Sequence, residues 1–348
     1  MRIRRWLGGG LVLLVLLSAC QASRAVRLPW GEEVYDVIFS PSGEGVLVLS
    51  QADDDVVAYR SLPRGNEQWR VEGLYGRLFA GFAPDGSEVA VYSEGRLLFY
   101  DVGTGDLQDE IDLRPRERLG YRHPLYAALH IAYRPDGELA LLVQHRDSYV
   151  LERWSREGRL MGDPVPLSHE KYPVYWQPFT RDGEQVAFLT QDGLGLLDIA
   201  SGERRTWAVE AALPDARYLN CVASDPEGET LIAGLADLSY LHDVRPNRQG
   251  MLVRVDGDSG EILARYDLPE AVPPGDSVME VAYRPPWLVA QTLDAQALLL
   301  YDVSASTPTV LCAGDDCCRQ APAISPDGST LATVCGRNVR LWSLGEED

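Results

Sequence analysis

Residues Ala321–Gly345 read A-P-A-I-S-P-D-G-S-T-L-A-T-V-C-G-R-N-V-R-L-W-S-L-G. The pattern predicts three short strands. Ala321–Ser325 is apolar, Pro326-Asp327-Gly328 is a turn, and Thr330–Cys335 is apolar again. Gly336-Arg337-Asn338 turns the chain back into Val339–Trp342. Glycine supplies the positive φ that such turns need, and β-branched residues fill the runs between them. Three strands cannot bury both of their faces alone, so the stretch predicts one unit of a repeat.

The turn recurs along the chain. Pro41-Ser42-Gly43, Pro84-Asp85-Gly86, Pro135-Asp136-Gly137, Arg181-Asp182-Gly183 and Pro226-Glu227-Gly228 precede Pro326-Asp327-Gly328. Their glycines are 43, 51, 46 and 45 residues apart, and the last gap, of 100, fits two units. Arg284-Pro285-Pro286-Trp287 sits where the missing turn belongs, which makes seven units. An apolar strand follows each turn, and a third strand then ends in an aromatic or aliphatic residue, often before Asp, as at Leu97–Asp101, Leu252–Asp256 and Leu298–Asp302. Thr104–Asp106, Ser201–Glu203 and Ser259–Glu261 then read as hairpin turns into a fourth strand. Four strands at a period of about 45 residues match a β-propeller blade, so the predicted fold is an all-β, seven-bladed propeller, with a β-sandwich array as the structural alternative.

The S-P-D-G turn with a later W-D or Y-D position resembles the WD40-like and PD40-like repeats, over nearly the whole of residues 25–348. The G-H dipeptide common in WD40 repeats is absent, and the last unit alone has the Trp in place, followed by Ser343 instead of Asp. That last unit stops three strands in, at Leu344-Gly345, while Ala25–Trp30 is one strand too many for the first unit. Pairing the segment as the outer strand of the last blade would close the ring.

The N-terminal end predicts an address. Arg2, Arg4 and Arg5 precede the apolar run Trp6–Leu17, which is too short to span a bilayer as a helix, and Leu17-Ser18-Ala19-Cys20 follows. L-S-A-C resembles the lipobox of bacterial lipoproteins. The resemblance implies a signal peptide over 1–19, acyl chains on Cys20, a short tether over 20–24 and a location at the membrane of the cell envelope. Gln21, with no Asp after the Cys, implies the outer membrane in a host that has one. Several acyl chains suffice for stable anchoring, whereas one is marginal.

The formal charge of the chain is −20, and loss of residues 1–19 removes three arginines and makes it more acidic still. Such a domain repels nucleic acid and anionic headgroups, so no nucleic-acid partner is expected. Of six cysteines, Cys312, Cys317, Cys318 and Cys335 cluster near the C-terminal end, and an exported protein sits where disulfides persist. A bond from Cys312 or Cys335 to one of the vicinal pair would pin the connection between the last two blades. The spacing lacks the paired C-x-x-C units of a zinc site. Cys221, on a predicted inner strand, reads as a small buried apolar residue.

Irregular length falls in Arg114–Tyr126, Asp163–Tyr175, Asp237–Gly250, Pro269–Ser277 and Thr307–Gln320. In a propeller these positions share the face opposite the P-D-G turns, and loops on a rigid scaffold are where binding residues concentrate. Arg114, Arg116, Arg118, Tyr121, Arg122 and His123 lie in the first segment, Lys171 and Tyr172 in the second, and Tyr240 and Arg245 in the third. Arginine and aromatic residues favour protein interfaces, and arginine clusters suit carboxylates or phosphates. The expected partner is a protein or an anionic ligand; ordinary solvated connectors, their arginines paired with nearby carboxylates, are the alternative.

No G-x-S-x-G elbow, H-E-x-x-H, P-loop or dinucleotide fingerprint occurs, and Asp256–Glu261 reads as a hairpin turn, not a calcium loop. The expectation is a lipid-anchored, non-catalytic binding scaffold with no cofactor and no resident metal. Two alternatives stand beside it: a propeller hydrolase or lactonase with a metal in the central channel, and a component of an envelope assembly machine.

Overall fold

The computed structural model describes residues 25–30, 32–51, 54–113, 126–145, 148–168, 178–180, 182–190, 193–208, 218–236, 250–273, 276–293, 295–304, 308–313, 317 and 320–345. Its elements among these residues are all strands. After β1 (Ala25–Pro29), blade 1 holds β2 (Glu33–Phe39), β3 (Gly45–Gln51), β4 (Asp55–Ser61) and β5 (Asn66–Leu74). Blade 2 holds β6 (Phe79–Phe82), β7 (Glu88–Ser93), β8 (Arg96–Asp101) and β9 (Leu107–Asp112). Blade 3 holds β10 (Tyr126–Tyr133), β11 (Leu139–His145), β12 (Ser148–Trp154) and β13 (Val165–Ser168). Blade 4 holds β14 (Gln185–Thr190), β15 (Gly193–Asp198) and β16 (Arg204–Trp207), and Phe179 bridges to Val186 at its inner edge. Blade 5 holds β17 (Tyr218–Ser224), β18 (Thr230–Ala236), β19 (Met251–Asp256) and β20 (Ile262–Asp267). Blade 6 holds β21 (Val278–Arg284), β22 (Trp287–Thr292), β23 (Leu298–Asp302) and β24 (Thr309–Cys312). Blade 7 holds β25 (Gln320–Ile324), β26 (Thr330–Cys335) and β27 (Asn338–Ser343), with β1 as its outer strand, antiparallel to β27.

Seven antiparallel sheets of this kind make a seven-bladed β-propeller. The second and third strands of each blade are almost continuously buried, because each sheet is covered on both faces by its neighbours. Six apolar clusters account for all seven blade interfaces, one of them running through blades 3, 4 and 5. The cluster that closes the ring joins Val37 and Phe39 of blade 1 to Ala332 and Val334 of blade 7, with Leu28 and Trp30 at its edge.

Turn geometry accounts for the repeat. Gly43, Gly86, Gly137, Gly183, Gly228 and Gly328 all have φ between 66° and 83°. Blade 6 turns on Pro285-Pro286 instead, with Arg284 directly paired to Trp287. Hydrogen bonds also lock blade 1 to blade 2, blade 3 to blade 4 and blade 5 to blade 6. Trp69 Nε1 donates to Val102 O (2.7 Å), Arg153 Nη1 to Ile199 O (3.4 Å) and Tyr266 Oη to Val303 O (3.2 Å). Three different side chains thus reach one equivalent carbonyl, that of the residue after the third strand. β1 obeys the same geometry. A Cβ on Gly65 would strike Leu28, just as one on Gly105 would strike Trp69 and one on Gly260 would strike Trp207.

Two segments expected to be irregular contain outer strands: β13 lies within Asp163–Tyr175 and β24 within Thr307–Gln320. Both are only four residues long. Pro166 in β13 removes a ladder donor, which an outer strand tolerates because one of its edges is unpaired, so the sequence pattern reads as loop.

Candidate functional site

The inner strands converge on a central channel of about 880 Å³. Each runs towards its turn and ends at a residue whose N–H bonds back across it, as Ser40 does to Gly45, Ala83 to Glu88 and Asp225 to Thr230. Two residues before that point stand Ile38, Gly81, Ala132, Pro178, Ala223, Ala282 and Ala323. Six of the seven are small or Pro, which lets the strands approach closely. Four residues before it stand Asp36, Phe79, His130, Cys221 and Glu280, a level that mixes acids, a histidine and a thiol from separate blades. Just beyond this level, on the side away from the turns, β2, β10, β17, β21 and β25 all shift register. The extra residue of such a bulge can be aimed sideways. Tyr35 Oη accepts from Leu78 N (2.9 Å) in the connection to blade 2, and Asn220 Nδ2 donates to Val278 O (2.8 Å) in blade 6.

Asp36 and His130 line the channel wall among Ile38, Phe79, Ile131 and Phe179. Pro41, Pro84, Pro226 and Pro326 rim its mouth on the turn face, beside Asp182, Glu227 and Arg284. Arg284 Nη1 donates to Pro326 O at 2.8 Å. Desolvation pushes the Asp36 carboxyl up to about 6, against the pull of the Val37 N–H and of Arg77. Because its folded value lies above the unfolded one, the native state holds the extra proton between about pH 4 and 6, and stability falls as pH rises through that window. Asp36→Asn is therefore expected to be more stable than wild type at pH 7.5, with the difference closing below about pH 4. The side chain is only half-buried against the channel, so the expected gain is about 1–2 kcal/mol. Urea melts at the two pH values check this, and an equal or smaller stability of Asp36→Asn at pH 7.5 would overturn it.

Nucleophilic chemistry finds little here. Cys221 is buried without a disulfide, and desolvation pushes its thiol well above the ordinary range, away from a reactive thiolate. Among the described residues no group of three or more His, Cys, Asp or Glu side chains could hold a metal ion.

The turn face ties up its own polar groups. Asp101, Asp198, Asp256 and Asp302 end third strands, and the Oδ1 of each accepts both the N–H and the hydroxyl of a Ser or Thr two or three residues on. The Y-D ending and the following T-G-D or S-G-E are therefore one device, which the sequence reading had separated. Asp85 and Asp327 do the same in the other set of turns. These bonds hold Asp85, Asp198, Asp256 and Asp302 below the usual carboxylate range, and the Ser325 hydroxyl, together with the Ser329 bonds, lowers Asp327 to about 2. The Asp327 contribution is present above about pH 4 and is lost as pH falls towards 2. Backbone bonds join the two kinds of turn: Val102 N to Ser87 O, Ile199 N to Glu184 O and Leu344 N to Ser329 O.

The opposite face is where β9, β16 and β18 end and β10, β17 and β19 begin. Arg114, Arg116, Arg118, Tyr121, Arg122, His123, Lys171, Tyr172, Tyr240 and Arg245 lie outside the described residues, as do Cys20 and Cys318. Cys312 and Cys317 are joined by a disulfide, and Cys335 is also disulfide-bonded. Cys335 ends β26 beside Gly336 and Arg337, whose carbonyls accept from Val34 N and Trp30 N, each at 3.0 Å. Replacing Cys312 and Cys317 together by Ser is expected to cost about 2 kcal/mol, the entropy of so short a loop. An unchanged urea midpoint would refute it.

Asp36, His130 and Glu280 escaped the sequence reading because each stands alone in its own strand. Aligning the units on their turns, instead of searching for local motifs, places them on one level. No protein-family model matches the sequence, and no curated protein matches it. Among solved structures, the chain is similar to the β-propeller domain of Cps50 (Swd1) from Myceliophteria thermophila. The identity is 13% and the TM-score 0.64, over 90% of this chain and 97% of that one. It is one of 1254 matching chains, so the likeness speaks for the fold alone.

Proposed function

We propose that the protein is a non-catalytic binding scaffold of the bacterial cell envelope, held at the membrane by lipid on Cys20. It presents the face opposite the P-D-G turns to a protein partner or an anionic ligand. One observation carries this reading. The turn face is saturated by its own Asp, Ser and Thr groups and joined by backbone hydrogen bonds, so it is built for rigidity. Length variation and arginine-rich composition collect in the connections that the repeat pattern assigns to the other face, from Arg114–His123 through Lys171 to Arg245 in the sequence.

The test uses residues 25–348, immobilised and exposed to an envelope extract of the host. Arg116→Glu with Arg122→Glu is expected to reduce specific capture by tenfold or more, roughly the loss of one interface hot spot. Capture that survives the double reversal unchanged overturns the reading. Elemental analysis of the same protein, purified without chelator, offers a second check. A stoichiometric divalent metal would replace the scaffold with a channel hydrolase.

A further inference from the structure

The chain enters the ring through β1, and the register of that strand fixes where. Ala25 pairs with Trp342, and Pro29 with Asn338. At the Asn338 end, β27 lies against Cys335, far from the turn that precedes β26. At its other end Ser343 pairs with Thr330, and Leu344 N donates to Ser329 O at 2.7 Å. Ser329 belongs to the turn after Pro326. Ala25 therefore lies at the turn end of blade 7, and Pro29 at the end facing the irregular segments.

Only five residue steps separate Ala25 from Cys20. Fully extended chain spans at most about 3.6 Å per residue, so the link reaches no more than about 18 Å. We infer that the face bearing the P-D-G and D-x-x-S/T-G turns is directed at a lipid surface, and that the face where β9, β16 and β18 end is held away from it, towards the envelope space. This orientation rests on the lipid attachment proposed above.

The chemistry of the turn face suits a neighbour it does not adhere to. Asp85, Asp198, Asp256, Asp302 and Asp327 are all kept ionised by their own turns. Fixed negative charge is not drawn onto anionic headgroups, so the tether, not adhesion, sets the gap. The binding face is left unobstructed by the membrane, and the channel mouth between Pro41, Pro84, Pro226 and Pro326 opens on the bilayer side.

The test compares the two ends of one strand. Glu44, in the turn before β3, and Gln51, the last residue of β3, are both exposed and stand at opposite faces. At about 3.4 Å per residue they are roughly 24 Å apart. The full-length lipidated protein, carrying a fluorophore on Glu44→Cys or Gln51→Cys, is reconstituted on phosphatidylcholine vesicles containing a headgroup spin-labelled lipid. Quenching is expected to be several-fold stronger for the Glu44→Cys label. Flotation is scored on the same samples, with Cys20→Ser as the control. Vesicle binding with equal quenching, or with stronger quenching of the Gln51→Cys label, overturns the orientation alone. Failure of the wild type to float, or flotation of Cys20→Ser to the same extent, overturns the anchoring and the orientation with it.

Discussion

Removal of residues 25–30 lowers the midpoint of thermal unfolding by about 5–10 °C and makes the protein prone to association. β1 supplies the outer ladder of blade 7, pairing five residues with β27. Leu28 and Trp30, at 5% and 7% exposure, belong to the cluster that seals blade 7 against blade 1. Burial of two such side chains is worth about 3–6 kcal/mol. With an unfolding entropy of about 2.1 cal/mol/K per residue, each kcal/mol shifts the midpoint of a domain the size of residues 25–348 by about 1.5 °C, so the loss is readily measured. Without β1, the edge of β27 from Asn338 to Ser343 is left unpaired, and an unpaired edge recruits other chains. Scanning calorimetry and size-exclusion chromatography of the shortened chain read both effects. Leu28→Asp, in the full-length chain, tests the packing while leaving the backbone ladder in place. A shortened protein that melts within about a degree of wild type and stays monodisperse would show that the ring does not depend on this strand.

Gly81→Val costs about 3 kcal/mol or more, the upper end for an overpacked core. Gly81 sits in β6 with an ordinary negative φ, so no backbone strain is involved. A Cβ there would collide with the carbonyl oxygen of Ile131 in β10, and a main-chain atom within a sheet cannot retract as a flexible side chain can. The inner strands of blades 2 and 3 would have to separate, and with them the packing of Ile131 and Tyr133. Gly202→Ala is the control. Gly202 has φ +73° with nothing within 4 Å of its added Cβ, so only the left-handed strain of about 1–2 kcal/mol applies. Urea denaturation separates the two. Equal losses would mean that the inner ring has slack that the close approach of β6 and β10 does not suggest.

Much of this architecture could be read from the chain. The turn glycines and their spacing count the blades, because positive φ at each hairpin is a local requirement and leaves a local trace. Even the turn without glycine, Pro285-Pro286, was found by spacing alone. The strands β13 and β24 were not found, since four residues with Pro166 or flanking loops carry too little alternation. Little of the channel was legible. Asp36 and His130 line one channel only when strands 94 residues apart are brought around one axis. The blade-to-blade locks were hidden for a different reason: Trp69, Arg153 and Tyr266 share a task but no chemistry beyond an available N–H or O–H.

The acceptor in those locks is a main-chain carbonyl, which every residue carries. Evolutionary drift at Val102, Ile199 or Val303 therefore leaves the keyhole in place, and drift at the donor needs only another side chain of sufficient reach. Blades can diverge almost beyond mutual likeness while the ring survives.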